Sequence, residues 1–366
     1  MITFKFQKKI LTLILLLLSF SIITDEVYSQ STFEPEVSAE GAVLIDVDSG
    51  RVLFEKNPDK KMRIASLTKI MTAIIAIENG NLNDLVTTSS NAHGVEGSSI
   101  YLKKGEKLTL EDMLYGLILR SGNDAAVAIA EHIGGSIEGF AYLMNEKAAY
   151  LGMTNTHFVN PHGLDNKDHY STPRDMAILT AYALKNPVFR KIVSTKVKIA
   201  PSEGESWNRR WINKNKLLYR YKWADGVKTG YTKLARRCLA SSATKDGVQL
   251  ASITLNAPDD WNDHIKLFEY GFNIYEHKKI VNKGEKIGKI RVGKKYYELM
   301  AVEDFSYPIK AEEKELITKK VALIKNIQEL NINEISSNQI LGRIKFYLNN
   351  KYIGSIPIQL KKEKQN

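Results

Sequence analysis

The sequence predicts a mixed α/β fold of the α+β kind, an antiparallel sheet flanked by helices, followed by a small all-β domain. Three observations predict it. Strand-like runs at 40–56 and from about 196 onward bracket a stretch of helical periodicity. Past about 278 the apolar residues recur with strand spacing around turn residues. The 366 residues, 43% hydrophobic and 25% charged, suffice for a sizeable core and more than one domain.

The elements follow in order. At 1–29, Lys5, Lys8 and Lys9 precede an apolar run at 10–23 that ends in a polar stretch before Val27-Tyr28-Ser29. This reads as a secretory signal cleaved after Ser29. The run is short for a span of ~20 residues, yet Asp25 and Glu26 are unusual near a cleavage site, so an uncleaved anchor stays open. No cysteine follows, which argues against a lipoprotein. The assignment is therefore 1–29 signal peptide, 30–277 catalytic domain and 278–366 C-terminal β-rich domain.

Within 30–277, EGAVLIDVDSGRVLFEK reads as a hairpin about Asp48-Ser49-Gly50. Helices are expected from Ser66 to about Glu78, at 109–119, at 124–135 with Gly134-Gly135 as the stop, and at 172–186. In the last, Thr172 caps, Pro173 opens the first turn and Asp175 completes a capping box. GVKTGYT, RRCLASSATKDG and VQLASITLNA then alternate as strands, with a turn at Asp246-Gly247, and a helix is expected at 263–277. The C-terminal hairpin turns at Asn349-Asn350, and no apolar or amphipathic anchor is evident at the C-terminal end.

Export makes the single cysteine informative, because a disulfide scaffold needs pairs. Cys238 lies in a strand-like segment and reads as a small buried side chain. A net charge of +11 favours polyanions, here anionic wall polymers or a membrane surface; no nucleic-acid motif is present. The seven histidines show no metal-ligand spacing, so neither metal nor cofactor is expected.

The chemistry is carried by three short stretches. Ser66 and Lys69 lie at a helix start, where residues three apart share a face. By themselves they fit a serine cap with a surface lysine as well as a nucleophile with its base. Chance supplies such pairs: Ser242 and Lys245 form one on a strand, where that spacing sends the side chains to opposite faces. Ser121 and Asn123 lie in a turn between helices, and Lys228-Thr229-Gly230 lies on a strand. The order and context of the three together decide for chemistry.

With ASLTKIMTA, LRSGNDAA, NPHGLD and DGVKTGYT, the chain resembles the low-molecular-mass penicillin-binding proteins, the serine-type D-alanyl-D-alanine carboxypeptidases, from about residue 36 through the β domain. The resemblance implies a β-lactamase/transpeptidase-like catalytic domain. It also implies an exported hydrolase that removes the terminal D-alanine from peptidoglycan pentapeptide stems, with β-lactam antibiotics as covalent inhibitors. Two features depart from the family. Where a glycine usually follows Ala235 this chain has Arg236, and a C-terminal amphipathic anchor is missing.

On that reading Ser66 is the nucleophile and Lys69 its base, which requires a partly neutral amine. Burial and the approach of Lys228 would favour that neutral form; which lysine loses the proton stays open. Ser121 relays a proton to the leaving group and Asn123 orients Lys69 and the substrate amide. The resemblance implies an oxyanion hole from the amides of Ser66 and Tyr231. Lys228, Thr229 and Thr232 hold the terminal carboxylate beside Gly230. His162 and Asp165 invite a Ser-His-Asp alternative, though a turn-rich loop explains them more simply. A class A β-lactamase would need an E-x-x-L-N segment between Asn123 and Lys228, and none is there. A catalytically silent wall-binding adaptor would not need all three motifs intact, and endopeptidase action on cross-links would use the same residues.

Overall fold

A computed structural model describes residues 34–202, 204–292, 295–324 and 339–361; the expected signal lies outside these residues. Strand β1 (Gly41–Asp46) is buried along its whole length, as its unbroken run GAVLI requires. It turns through Gly50, at φ 70°, into β2 (Val52–Lys56). A 3-10 turn, Ala65–Thr68, leads into α1 (Lys69–Asn79). The short pair β3 (Leu85–Thr87) and β4 (Lys107–Thr109) precedes α2 (Leu110–Tyr115), which runs on as a π-helical turn, Gly116–Arg120. Then come α3 (Asn123–Gly134), α4 (Ile137–Tyr150), α5 (Pro173–Leu184) and α6 (Pro187–Ser194). The hairpin β5 (Val197–Ala200) and β6 (Arg209–Ile212) and the one-turn α7 (Leu217–Arg220) lead to β7 (Ala224–Thr232), β8 (Arg236–Lys245), β9 (Val248–Leu255) and α8 (Asp260–Ile274).

The main sheet runs β2-β1-β9-β8-β7, antiparallel throughout, so both ends of the segment build it and β7 is an edge. One face packs on α1 to α6 through a large core that includes Val43, Ile45, Ile70, Ile74 and Ile253. The other packs on α8 through Leu44, Leu239, Leu250, Leu267 and Phe268. Alternation along β1 serves two cores at once. The expected fold class is the one observed.

Several expected elements shift. The helix expected from Ser66 begins as the 3-10 turn, because Ala65 takes φ 47° and forces a tight entry. The stretch expected as one helix at 109–119 loosens into the π turn and ends at Ser121, in the left-handed region at φ 65°. Thr172 caps α5 by accepting from Asp175 N at 3.1 Å. The Asp175 carboxylate does not close the box but accepts from Asn155 N and Thr156 Oγ1. Helices α4 and α6 lie outside the expected set; α4 buries only Phe140, Met144 and Ala148, a stripe one residue wide. The helix expected at 263–277 starts and ends earlier, because Tyr275 turns extended and its hydroxyl donates to Leu53 O.

The C-terminal region holds the pair β10 (Glu276–Val281) and β13 (Phe305–Ile309) and a second sheet. That sheet is made of β11 (Lys286–Val292), β12 (Lys295–Ala301), β14 (Ile317–Leu323), β15 (Ile340–Leu348) and β16 (Lys351–Leu360). Its core gathers Leu299, Ile344, Phe346, Ile356 and Ile358. Asn349 and Asn350, at φ 46° and 63°, make the two-residue hairpin turn that asparagine tolerates. Among the described residues no helix is long and apolar enough to cross a membrane.

Candidate active site

Lys69 opens α1 and Ser66 sits in the tight turn before it, so the Lys69 side chain reaches back along the helix. Its Nζ lies 3.1 Å from Ser66 Oγ, 2.6 Å from Asn123 Oδ1 and 2.7 Å from the carbonyl of His162. Two segments remote in sequence thus hold an amine that is fully buried. Asn123 starts α3 and is itself fixed. Its backbone amide donates to Ser98 O at 2.7 Å and its Nδ2 to Glu96 O at 2.6 Å. The loop passes close enough that a Cβ on Gly97 would stand 2.8 Å from Asn123 Nδ2. With Oδ1 on Lys69 and one amide hydrogen on Glu96, a second amide hydrogen remains for another acceptor.

The His162 carbonyl is invisible to sequence reasoning; the glycine after it is its one signal. At Gly163, φ 88°, a Cβ would fall 1.8 Å from Ala65 O, so only glycine lets this loop press on the Ser66 turn. Asn160 Oδ1 accepts from Gly163 N at 2.7 Å and pins the loop from inside. The Ser-His-Asp alternative is not assembled. Asp165 accepts from Thr232 Oγ1 at 3.0 Å and faces Arg63 at 3.9 Å, while the His162 ring accepts from Leu164 N. Burial and the neighbouring Lys69 push the His162 imidazole down to about 3, so it is neutral at pH 7.

Lys228 enters from β7 and is buried to 1% exposure, its Nζ donating to Thr229 O at 2.8 Å. Strand β7 packs against the Ser66 turn so closely that a Cβ on Gly230 would lie 3.2 Å from Ser66 N. Thr229, Gly230, Tyr231 and Thr232 continue along this edge, Tyr231 largely exposed. Ser121 is 5% exposed at the end of the π turn, and its hydroxyl makes no hydrogen bond among the described residues.

Two buried ammonium groups in one cleft cannot both hold their protons cheaply. Burial first, then Lys228 and Lys214, hold the Lys69 amine well below the ordinary lysine range; Asp124 opposes them weakly. Burial and Lys214 push Lys228 down to about 7. Lys214, whose Nζ reaches Ser98 Oγ at 3.2 Å, belongs to none of the three motifs. A buried, proton-poor amine beside a hydroxyl can accept that hydroxyl's proton. Cys238 is buried at 1% exposure with its thiol pushed up to about 12, which makes it inert. Among the described residues no group of histidine, cysteine and carboxylates could hold a metal ion.

The chain also matches known proteins along most of its length. A family model described as D-alanyl-D-alanine carboxypeptidase matches residues 28–259, and one for the C-terminal domain of penicillin-binding protein 5 matches 275–365. The chain is 35% identical to the D-alanyl-D-alanine carboxypeptidase DacF of Bacillus subtilis over 345 residues, 91% of this chain and 87% of that protein. It is 32% identical to DacA of Haemophilus influenzae, with 89% and 85% covered. The crystal structure of penicillin-binding protein 5 from Haemophilus influenzae superposes with a TM-score of 0.74 at 31% identity, over 90% of this chain and 98% of that one. With its helices on an antiparallel sheet and its β-rich C-terminal region, the chain belongs to the family of serine-type D-alanyl-D-alanine carboxypeptidases, the low-molecular-mass penicillin-binding proteins.

Proposed function

We propose that this protein is an exported carboxypeptidase that removes the terminal D-alanine of peptidoglycan pentapeptide stems through an ester on Ser66, and that penicillin inhibits it by forming the same ester. The observation that carries the reading is the buried Lys69 amine, 3.1 Å from Ser66 Oγ and held by Asn123 and the His162 carbonyl.

Lys69 in its neutral form takes the Ser66 proton as Oγ adds to the carbonyl of the penultimate D-alanine. The family resemblance supports an oxyanion hole made by the amides of Ser66 and Tyr231, each such donor worth ~3 kcal/mol, and β7 passes close to Ser66 N at Gly230. The carbon–nitrogen bond breaks as the proton on Lys69 passes, by way of the Ser121 hydroxyl, to the departing amine. Lys228, Thr229 and Thr232 hold the terminal carboxylate. Water then adds to the ester, Lys69 taking its proton, and Ser66 leaves as the free hydroxyl. A β-lactam lacks a departing amine that can diffuse away, which supports slow deacylation and inhibition. The basic surface of the chain suits anionic wall polymers or a membrane surface.

Digestion of a defined pentapeptide stem followed by mass spectrometry tests the reading: loss of one D-alanine is expected. A fluorescent penicillin should leave a covalent band that disappears in Ser66→Ala. Intact pentapeptide and no band would overturn it.

A further inference from the structure

Among the described residues ten non-glycine positions have positive φ, and five of them are asparagine or aspartate, which tolerate that region. Of the other five, Tyr101 is an exposed loop residue, Ala65 adjoins Ser66, Val227 adjoins Lys228, Ser121 is itself a motif residue, and the fifth is Arg236. Arg236, at φ 61°, shares this left-handed strain at the start of β8. A glycine would adopt the angle freely, so the chain gives up folding stability to keep a side chain there.

Placement says what the side chain can do. Arg236 is the first residue of β8 and pairs with Thr232, the last of β7. Side chains paired across antiparallel strands stand on one face, close together. The Thr232 hydroxyl already turns toward the cleft loop, donating to Asp165. The other guanidinium groups here are committed: Arg237 to Asp260, and Arg63 to Asn166 O and Asp165. Arg236 is exposed and forms no ion pair among the described residues. A planar fork with no partner, at the end of the strand edge where an anion is to be held, matches a carboxylate in two parallel hydrogen bonds.

We propose that Arg236 is a specificity residue that binds the C-terminal carboxylate of the substrate together with Thr232, which stands on the same face of the sheet. The inference rests on the carboxypeptidase reading given above and adds to it the group that reads the free chain end. What it adds is a share of the preference for a free carboxylate over an amidated end.

The test compares diacetyl-L-Lys-D-Ala-D-Ala with its C-terminal carboxamide, and benzylpenicillin acylation with that of its methyl ester, in the full chain. Arg236→Gln is expected to lower kcat/KM for the free acid by about tenfold or more while changing the carboxamide by less than about twofold. Arg236→Lys should keep part of the discrimination, and Lys233→Gln, which removes another exposed cation from the same β7–β8 turn, should keep nearly all. Arg236→Gly should lose the same discrimination yet melt about 1–3 °C higher, relieved of its backbone strain. Equal losses on acid and amide, no loss at all, or a Lys233→Gln effect matching Arg236→Gln would overturn the proposal while leaving the activity intact. A wild-type chain that neither releases D-alanine nor reacts with penicillin would overturn the carboxypeptidase reading itself, and this inference with it.

Discussion

Lys69 Nζ donates to Asn123 Oδ1 across 2.6 Å, and both side chains are buried, so a neutral amide is the nearest partner of an amine that burial and Lys228 drive toward neutrality. A carboxylate in that place would do the opposite. Asn123→Asp is expected to favour the charged amine and raise the Lys69 pKa. Because the proposed base acts when neutral, the acid limb of penicillin acylation should move to higher pH, and the rate on that limb should fall about tenfold for each pH unit by which the limb moves up. A pH profile of the acylation rate constant checks this; an unmoved limb rejects it.

Lys228 offers a stability test with a definite sign. Its native pKa is about 7 against an ordinary 10.5, so between these values the unfolded chain binds the extra proton and stability rises with pH. Below 7 the buried charge is carried in full. Lys228→Met should therefore raise the melting temperature relative to wild type most at and below pH 7, with the gain shrinking as pH approaches 10.5. Thermal melts at about pH 6.5 and about pH 10 measure it, and a gain independent of pH contradicts the buried-cation account.

Three imidazoles, His169 and His264 buried and His162 partly so, work on the acid side. Burial holds His162 and His264 down to about 3 and His169 down to about 4, against an ordinary 6.5. The unfolded chain takes up these protons first, so stability should fall as pH drops below about 6.5, by roughly 1.4 kcal/mol per pH unit for each imidazole. Urea midpoints between about pH 7.5 and about pH 5 report the slope. His169→Gln, which can keep a hydrogen bond to Thr68 Oγ1, now 2.8 Å from His169 Nε2, should flatten it by about a third.

Gly163 tests whether the loop under Lys69 is as tight as it looks. A Cβ there meets Ala65 O at 1.8 Å in a backbone of φ 88°. Gly163→Ala should displace the His162 carbonyl from Lys69, cost about 2 kcal/mol or more in stability, and cut penicillin labelling at least about tenfold. Labelling at the wild-type rate in a folded variant would show that this contact does not position the amine.

Much of the site could be read along the chain because each motif is local. Ser66 and Lys69 are one helical turn apart, Lys228 to Gly230 share a strand, and turn residues such as Asn349-Asn350 act on their own backbone. The misreadings have local causes too. The narrow stripe of α4 hid a helix, and the π turn at 116–120 interrupted a sound periodicity. Other site features leave no such trace. The Glu96 and His162 carbonyls are backbone atoms whose residue types are irrelevant, and Lys214 acts from outside all three motifs through its charge.

By itself the sequence determined which functional groups exist, on which elements they ride and in what order, since helix and strand periodicity are short-range consequences of side-chain placement. Only the tertiary structure decided that Lys69 and Lys228 lose their water together, that a loop carbonyl seats the amine, and that Arg236 is left without an acidic partner among the described residues. Desolvation and charge pairing depend on which distant segments come into contact, and no local pattern of residues states that.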